Sequence, residues 1–269
     1  MPLAELDGVS LFYETAGDGP PVLIVRGTGG DLRQAPGPFA WPGSDRFSLL
    51  AYDHRDQGRS SSRDAEQPTM AEFTSDALAL VDHVGWDRFS VVGISFGGMV
   101  AQELALAAGD RVRRLVLACT SSGGAGSRSY PLHELYALAP EERAARLVAL
   151  LDTRTASQPE LAAALALYLA NDRSLAAPDV PTAGLLRQLQ ARRHHDTSER
   201  LGGLRLPTLV AAGRFDGIAP VAASERLAES IPGARLAVFG GGHGFLLQDP
   251  AAWPAIAGFL LLPLASAEE

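Results

Sequence analysis

Ser95 lies in the run Gly93-Ile94-Ser95-Phe96-Gly97-Gly98. The G-x-S-x-G spacing is that of a nucleophile elbow, a sharp turn that lifts a serine hydroxyl clear of a sheet. Glycines two residues to either side are needed because side chains there would collide with neighbouring elements in so strained a turn. Five residues alone are a weak signal. The context strengthens it: the apolar, strand-like run Phe89–Ile94 comes directly before the serine, and the helix-like run Phe96–Ala108 directly after. At a helix N-terminus, the helix dipole and free N–H groups favour developing negative charge. The chemistry such a serine can do is attack on a carbonyl carbon.

A serine hydroxyl is a poor nucleophile and needs a base. The histidines are His54, His83, His133, His194, His195 and His243. His243 is the best placed. It stands in Gly240-Gly241-Gly242-His243-Gly244-Phe245, after the last strand-like run and before the last helix-like one. Flanking glycines leave it free to reach across a sheet edge. His83 falls within a helix pattern. His133, His194 and His195 fall within an inserted segment, where structural or surface roles are expected, though one of them could line a pocket.

The base needs an acid to hold its tautomer and stabilise the imidazolium. Asp216 lies in Gly213-Arg214-Phe215-Asp216-Gly217-Ile218-Ala219-Pro220, just past the penultimate strand. Open α/β sheets form their sites at that edge. Asp249 follows His243 too closely to serve. The chain order Ser95, Asp216, His243 is the one expected after such an elbow. Acyl transfer also needs preorganised donors for an oxyanion. One is the Phe96 N–H. The second is expected from the loop Gly27-Thr28-Gly29-Gly30, at the Thr28 N–H.

These residues must be carried by a scaffold. Strand patterns occur at Val9–Tyr13, Val22–Val25, Phe47–Tyr52, Phe89–Ile94, Val112–Ala118, Leu206–Ala212 and Leu236–Phe239. Helical spacing occurs at Thr69–Val84, Phe96–Ala108, Val221–Ser230 and Ala251–Leu262. Alternating strands and helices argue an α/β fold, with a mostly parallel central sheet flanked by helices. From about Ser121 to Leu204 the alternation stops, and the chain becomes Ala-, Leu- and Arg-rich at helical spacing. The expected division is a core of residues 1–120 and 205–269 with a helical insertion at 121–204. Within the insertion, Arg187, Arg192 and Arg193 read as a solvated helix face.

The net charge of −8 and the scattered arginines disfavour nucleic acid and anionic membrane surfaces as partners. The partner is expected to be a small-molecule substrate, and the sequence leaves a homodimer open. The one cysteine, Cys119, cannot form an internal disulfide and reads as a small core residue. The N-terminal stretch has acidic residues and no basic-then-apolar signal, and the longest apolar run is too short to span a bilayer. A cytoplasmic location is expected.

Together these residues resemble the α/β-hydrolase superfamily, over nearly the whole chain outside the insertion. Tyr52-Asp53-His54-Arg55-Asp56-Gln57-Gly58-Arg59-Ser60 resembles the family's D-x-R-G-x-G-x-S loop, with Asp56 where glycine is usual. That variant, with the Gly93–Gly98 run, is similar to bacterial methylesterases acting on anthracycline-type polyketides. Gly97-Gly98-Met99-Val100-Ala101-Gln102 is similar to 3-oxoadipate enol-lactonases. The resemblance implies a serine hydrolase with no metal or organic cofactor and a helical cap over the site. The expected reaction is cleavage of a small hydrophobic ester or lactone through an acyl-enzyme. The same triad can also serve a C–C bond hydrolase, a lyase or a perhydrolase, and the fold can carry a cyclase, an isomerase or a ligand-binding pseudoenzyme. One departure stands out: Arg26-Gly27 replaces the family's usual His-Gly pair. Arg26 could brace the oxyanion loop as that histidine does, or present its guanidinium to substrate.

Overall fold

The computed structural model describes residues 2–62, 68–171 and 182–263. In chain order it contains β1 (Leu3–Leu6), β2 (Val9–Ala16), β3 (Pro21–Val25), β4 (Ser48–Tyr52), β5 (Ser61–Ser62), α1 (Met70–His83), β6 (Phe89–Ile94), α2 (Phe96–Ala108) and β7 (Val112–Ala118). There follow α3 (Pro140–Leu151), α4 (Pro159–Asn171), α5 (Ala183–His194), β8 (Thr208–Gly213), α6 (Val221–Ser230), β9 (Arg235–Phe239), α7 (Phe245–Gln248) and α8 (Ala252–Leu260). The sheet runs β1-β2-β4-β3-β6-β7-β8-β9, with β5 paired to β2. β1, β2 and β4 pair antiparallel, and every pairing from β4 through β3 and β6 to β9 is parallel. This is the expected α/β architecture with a mostly parallel sheet.

The parallel strands are continuous apolar runs because both faces of the sheet are covered. One face packs Leu23, Val91, Leu117 and Val210 against α1, α2 and α6, through residues such as Phe73, Leu104 and Leu227. The other face packs Val22, Ile24, Val92 and Val116 against α8, through Trp253, Ile256 and Phe259. Trp41 stacks on Trp253 there, with ring centroids 4.5 Å apart. A separate cluster, including Leu135, Leu147, Leu150, Leu185 and Leu189, forms the interior of the segment between β7 and β8. That segment contains α3, α4 and α5, with one isolated bridge between Gly123 and Asp196.

The structure adds elements without a clear sequence pattern. β1 and β5 are short and sit at the antiparallel edge, where pairing depends on a neighbour more than on local preference. α7 is one turn. β8 starts at Thr208, after Pro207, whose nitrogen cannot join a ladder. The arginine group of α5 is only in part the solvated face its charge suggested: Arg193 is exposed, but Arg192 is only 8% exposed and Arg187 pairs with Asp56. The reason is tertiary. α5 lies against core loops, so Gln188 and Arg192 face protein while Arg193 and His194 stay in water. Among the described residues, no helix is long and apolar enough to cross a membrane.

Candidate functional site

β6 ends at Ile94 and α2 begins at Phe96, so Ser95 alone makes the turn between them. Its backbone sits at φ 55 and ψ −116, a conformation costly for a residue with a side chain. The strain is held by bonds on both sides. The Ser95 N–H donates to Ala118 O at 2.8 Å, and Ser95 O accepts from Gly98 N at 2.9 Å and Thr120 Oγ1 at 2.8 Å. The glycines prove necessary for contact reasons. A Cβ on Gly97 would lie 2.1 Å from Val25 O, and one on Gly93 2.5 Å from Gly97 O.

The three residues singled out in the sequence meet. His243 Nε2 lies 3.0 Å from Ser95 Oγ, and its Nδ1 lies 2.7 Å from Asp216 Oδ2. A carboxylate can only accept, so Nδ1 carries the proton of the neutral ring and Nε2 is left to accept from serine. Asp216 is 4% exposed, and its second oxygen accepts the N–H groups of Ile218 and Ala219, each at 2.8 Å. Those two bonds fix the carboxylate's orientation. Asp249 is used otherwise: it accepts from Gly240 N at 2.6 Å and Ala251 N at 2.9 Å, closing the loop that presents His243.

The segment between β7 and β8 also holds this arrangement. The last carbonyls of a helix have no partner within it. At the end of α3, Leu150 O accepts from Gly217 N at 2.9 Å and Leu151 O from His243 N at 2.7 Å.

The Gly27–Gly30 loop passes directly over Ser95, since a Cβ on Gly27 would lie 3.3 Å from Ser95 Cβ. Gly30 N donates to Gly27 O at 3.0 Å and Gly29 has φ 69, the form of a type II turn. The N–H groups of Thr28 and Phe96 carry no hydrogen bond to another described residue. Arg26 donates to Asp31 O at 2.9 Å and to Gln34 Oε1 at 2.7 Å, which holds the chain just beyond the turn. Arg26 also lines the cavity described below.

His54 is a support that the sequence reading did not assign. Its Nε2 lies 3.0 Å from Arg26 O and so donates to it. The ring is enclosed by Tyr52, Phe73 and Phe96. Burial, with the nearby Arg26 charge, pulls its pKa down to about 4. Asp56 explains its own departure from the family loop. It has φ 58, where glycine is easiest, but its carboxylate accepts from Ser62 N at 2.8 Å and pairs with Arg187 of α5.

Ser95 and His243 open into a cavity of about 250 Å³. Its walls are mostly apolar, with Trp41, Leu132, Leu135, Leu147, Leu189 and Ile218 among them. Cys119 lies at its floor, its thiol pushed well up by burial. His133, His194 and His195 are not among its lining residues. Arg192 is buried nearby in α5 without lining the cavity. Burial pulls its guanidinium down to about 10, against the opposing charge of Asp216. Among the described residues, no three His, Cys, Asp or Glu side chains cluster as a metal site requires. The arrangement brings a hydroxyl, an imidazole and a buried carboxylate into one hydrogen-bonded chain at the cavity, with the unbonded N–H groups of Thr28 and Phe96 on the adjoining segments.

Comparison with known proteins agrees with this architecture. Residues 20–250 match the family model described as alpha/beta hydrolase fold. A relative from Azorhizobium caulinodans, named "Putative carbamate hydrolase RutD", is 31% identical over 260 residues, covering 93% of this chain and 94% of the relative. A protein of the same name from Caulobacter sp. (strain K31) is 33% identical over 283 residues, covering 97% and 98%. Among solved structures, a hydrolase from Pseudomonas aeruginosa PA01 superposes with a TM-score of 0.77 at 29% identity, covering 97% of this chain and 98% of that one. The enol-lactonase from Burkholderia xenovorans LB400 has the same fold, with a TM-score of 0.78 at 23% identity, covering 97% of this chain and 100% of that one. With its elbow, its sheet order and a family match across most of its length, this chain is a hydrolase of the α/β-hydrolase family.

Proposed function

We propose that this protein cleaves small hydrophobic carboxylic esters or lactones through an acyl-enzyme on Ser95. The observation that carries the reading is the continuous chain from Ser95 Oγ through His243 to the buried Asp216, opening into an apolar cavity. His243 takes the serine proton as Oγ attacks the carbonyl carbon. The Thr28 and Phe96 N–H groups receive the oxyanion. His243 then protonates the leaving alcohol and activates the water that releases the acid. Asp216 keeps the ring in the right tautomer throughout. In this reading Arg26 braces the oxyanion loop, the segment at 121–204 caps the cavity, and the enzyme works in the cytoplasm.

The test is turnover of p-nitrophenyl acetate and butyrate, with mass-spectrometric mapping of a fluorophosphonate adduct. Hydrolysis with the adduct on Ser95 supports the proposal. Folded protein that neither turns over these esters nor takes the label rejects it.

A second reading comes from the RutD relatives, whose name refers to carbamate hydrolysis. A carbamate carbonyl could be attacked by the same serine. The apolar walls favour the ester, because an unpaired polar group gains nothing from an apolar pocket. Turnover of a small alkyl carbamate faster than of p-nitrophenyl butyrate would reverse that order.

A further inference from the structure

We infer that Gln188 is a positioning residue that holds the oxyanion loop from the far side of the active site. The inference deepens the proposed acyl transfer and rests on it. Gln188 lies on α5, is 0% exposed, and is 159 positions from Gly29. Its Oε1 accepts the Gly29 N–H at 2.7 Å. Its Nε2 has no partner among the described residues, so the bond to Gly29 is the polar contact that this fully buried amide makes. Burying an amide costs free energy unless it is bonded, and a leucine would fill the same space without that cost. The sequence gives up that saving at the one place where the side chain touches the loop over Ser95.

The geometry explains what the bond does. Gly29 is the third residue of the Gly27–Gly30 turn, with φ 69. Type I and type II turns differ by a half-rotation of the peptide between the second and third residues, here Thr28 and Gly29. In the observed form the Gly29 N–H faces Gln188. In the flipped form the Thr28 carbonyl would face it, oxygen to oxygen. Gln188 therefore fixes the Thr28–Gly29 peptide, directly after the peptide that carries the Thr28 N–H, and so pins the turn that presents this donor.

α5 is itself registered on the core beside this contact. A Cβ on Gly184 would lie 2.1 Å from Asp56 O, so only glycine allows so close an approach. Three residues on, Arg187 pairs with the Asp56 carboxylate. The Gln188 amide is thus delivered by a helix that cannot slide along the core without breaking these contacts.

The experiment compares wild type with Gln188→Met, which keeps the length but removes the acceptor, and Gln188→Glu, which keeps an oxygen at the same reach. Four quantities are read: kcat and KM on p-nitrophenyl acetate, inhibition by an aryl trifluoromethyl ketone that forms a tetrahedral adduct, and hydrogen exchange at the Gly29 amide. Gln188→Met is expected to lower kcat about 10- to 100-fold with KM within about threefold, because a misplaced donor weakens transition-state binding most. The trifluoromethyl ketone should lose affinity by a similar factor, and the Gly29 amide should exchange faster. Gln188→Glu should recover most of kcat. A folded Gln188→Met enzyme with wild-type kcat and ketone affinity overturns the inference. Should Gln188→Met not fold, fast exchange of the Gly29 amide in wild type alone overturns it. Wild type inert to esters and to the fluorophosphonate would instead sink the acyl-transfer reading itself.

Discussion

The His243 N–H donates to the carbonyl of Leu151 at 2.7 Å, joining the base to the last turn of α3. The neighbouring carbonyl of Leu150 does the same for Gly217, next to Asp216. Two helix-end carbonyls that would otherwise need water thus anchor the acid and the base. Loosening α3 should therefore disturb the triad. Leu150 is 8% exposed and packs in the interior cluster of its segment. Leu150→Ala is expected to cost about 2–4 kcal/mol in urea unfolding and to lower kcat more than it raises KM. Unchanged kcat in a destabilised variant would separate α3 from the chemistry.

Ser95→Ala removes the nucleophile and should cost about 10⁴- to 10⁶-fold in kcat. Asp216→Asn should cost about 10⁴-fold, because an amide cannot hold the His243 tautomer. Steady-state kinetics on p-nitrophenyl acetate measures both. Near-normal turnover in Ser95→Ala would point to a reaction that does not acylate the enzyme.

Gly97→Ala places a methyl 2.1 Å from a backbone oxygen of β3, which cannot swing aside as a side chain can. A loss of about 3 kcal/mol or more is expected, together with activity, as the elbow or β3 must shift. Thermal unfolding and circular dichroism read the loss. A wild-type melting temperature would mean that the turn has room not evident in its geometry.

His54 sets a pH dependence of stability. Its pKa is about 4 when folded against 6.5 in the open chain. The unfolded state therefore takes up a proton first as pH falls. Stability is full above about pH 6.5 and declines toward pH 4, by about 2 kcal/mol between pH 7 and 5. Glu103, held down at about 2 chiefly by His195 and Arg200, adds loss only below its usual range near 4.5. His54→Gln can still donate to Arg26 O but cannot titrate. Urea unfolding of this variant should show a flatter profile between pH 5 and 7.

Leu135 lines the cavity and is 1% exposed. Leu135→Trp should shrink the acyl space. We expect kcat/KM for p-nitrophenyl hexanoate to fall at least 10-fold while acetate changes about twofold, as a hydrophobic pocket discriminates by a few methylenes. An equal loss on both esters would show that the acyl group lies elsewhere.

The candidate site was legible where local backbone demands leave a mark on composition. The elbow needs glycines at Gly93 and Gly97, the loop over the serine needs Gly27 and Gly29, and His243 is flanked by Gly242 and Gly244. Strands buried on both faces announce themselves as apolar runs, so β3, β4, β6, β7 and most of β8 were readable. What was hidden depends on partners distant in the chain. Nothing beside Gln188 signals that it reaches Gly29. Arg192 reads as a surface charge because helical context alone does not show what packs over it. His54 sits in a polar loop, yet its surroundings are three aromatic rings drawn from β4, α1 and α2.

The bonds from α3 and α5 to the core also bear on how substrate enters. Among the described residues, this segment is fastened to the core through Leu150, Leu151, Arg187 and Gln188, so moving α3 and α5 away together would break contacts at both ends. Tyr168 and Leu247 border the cavity while remaining 40% and 58% exposed, so an arriving molecule that passes them meets oily side chains before it reaches Ser95.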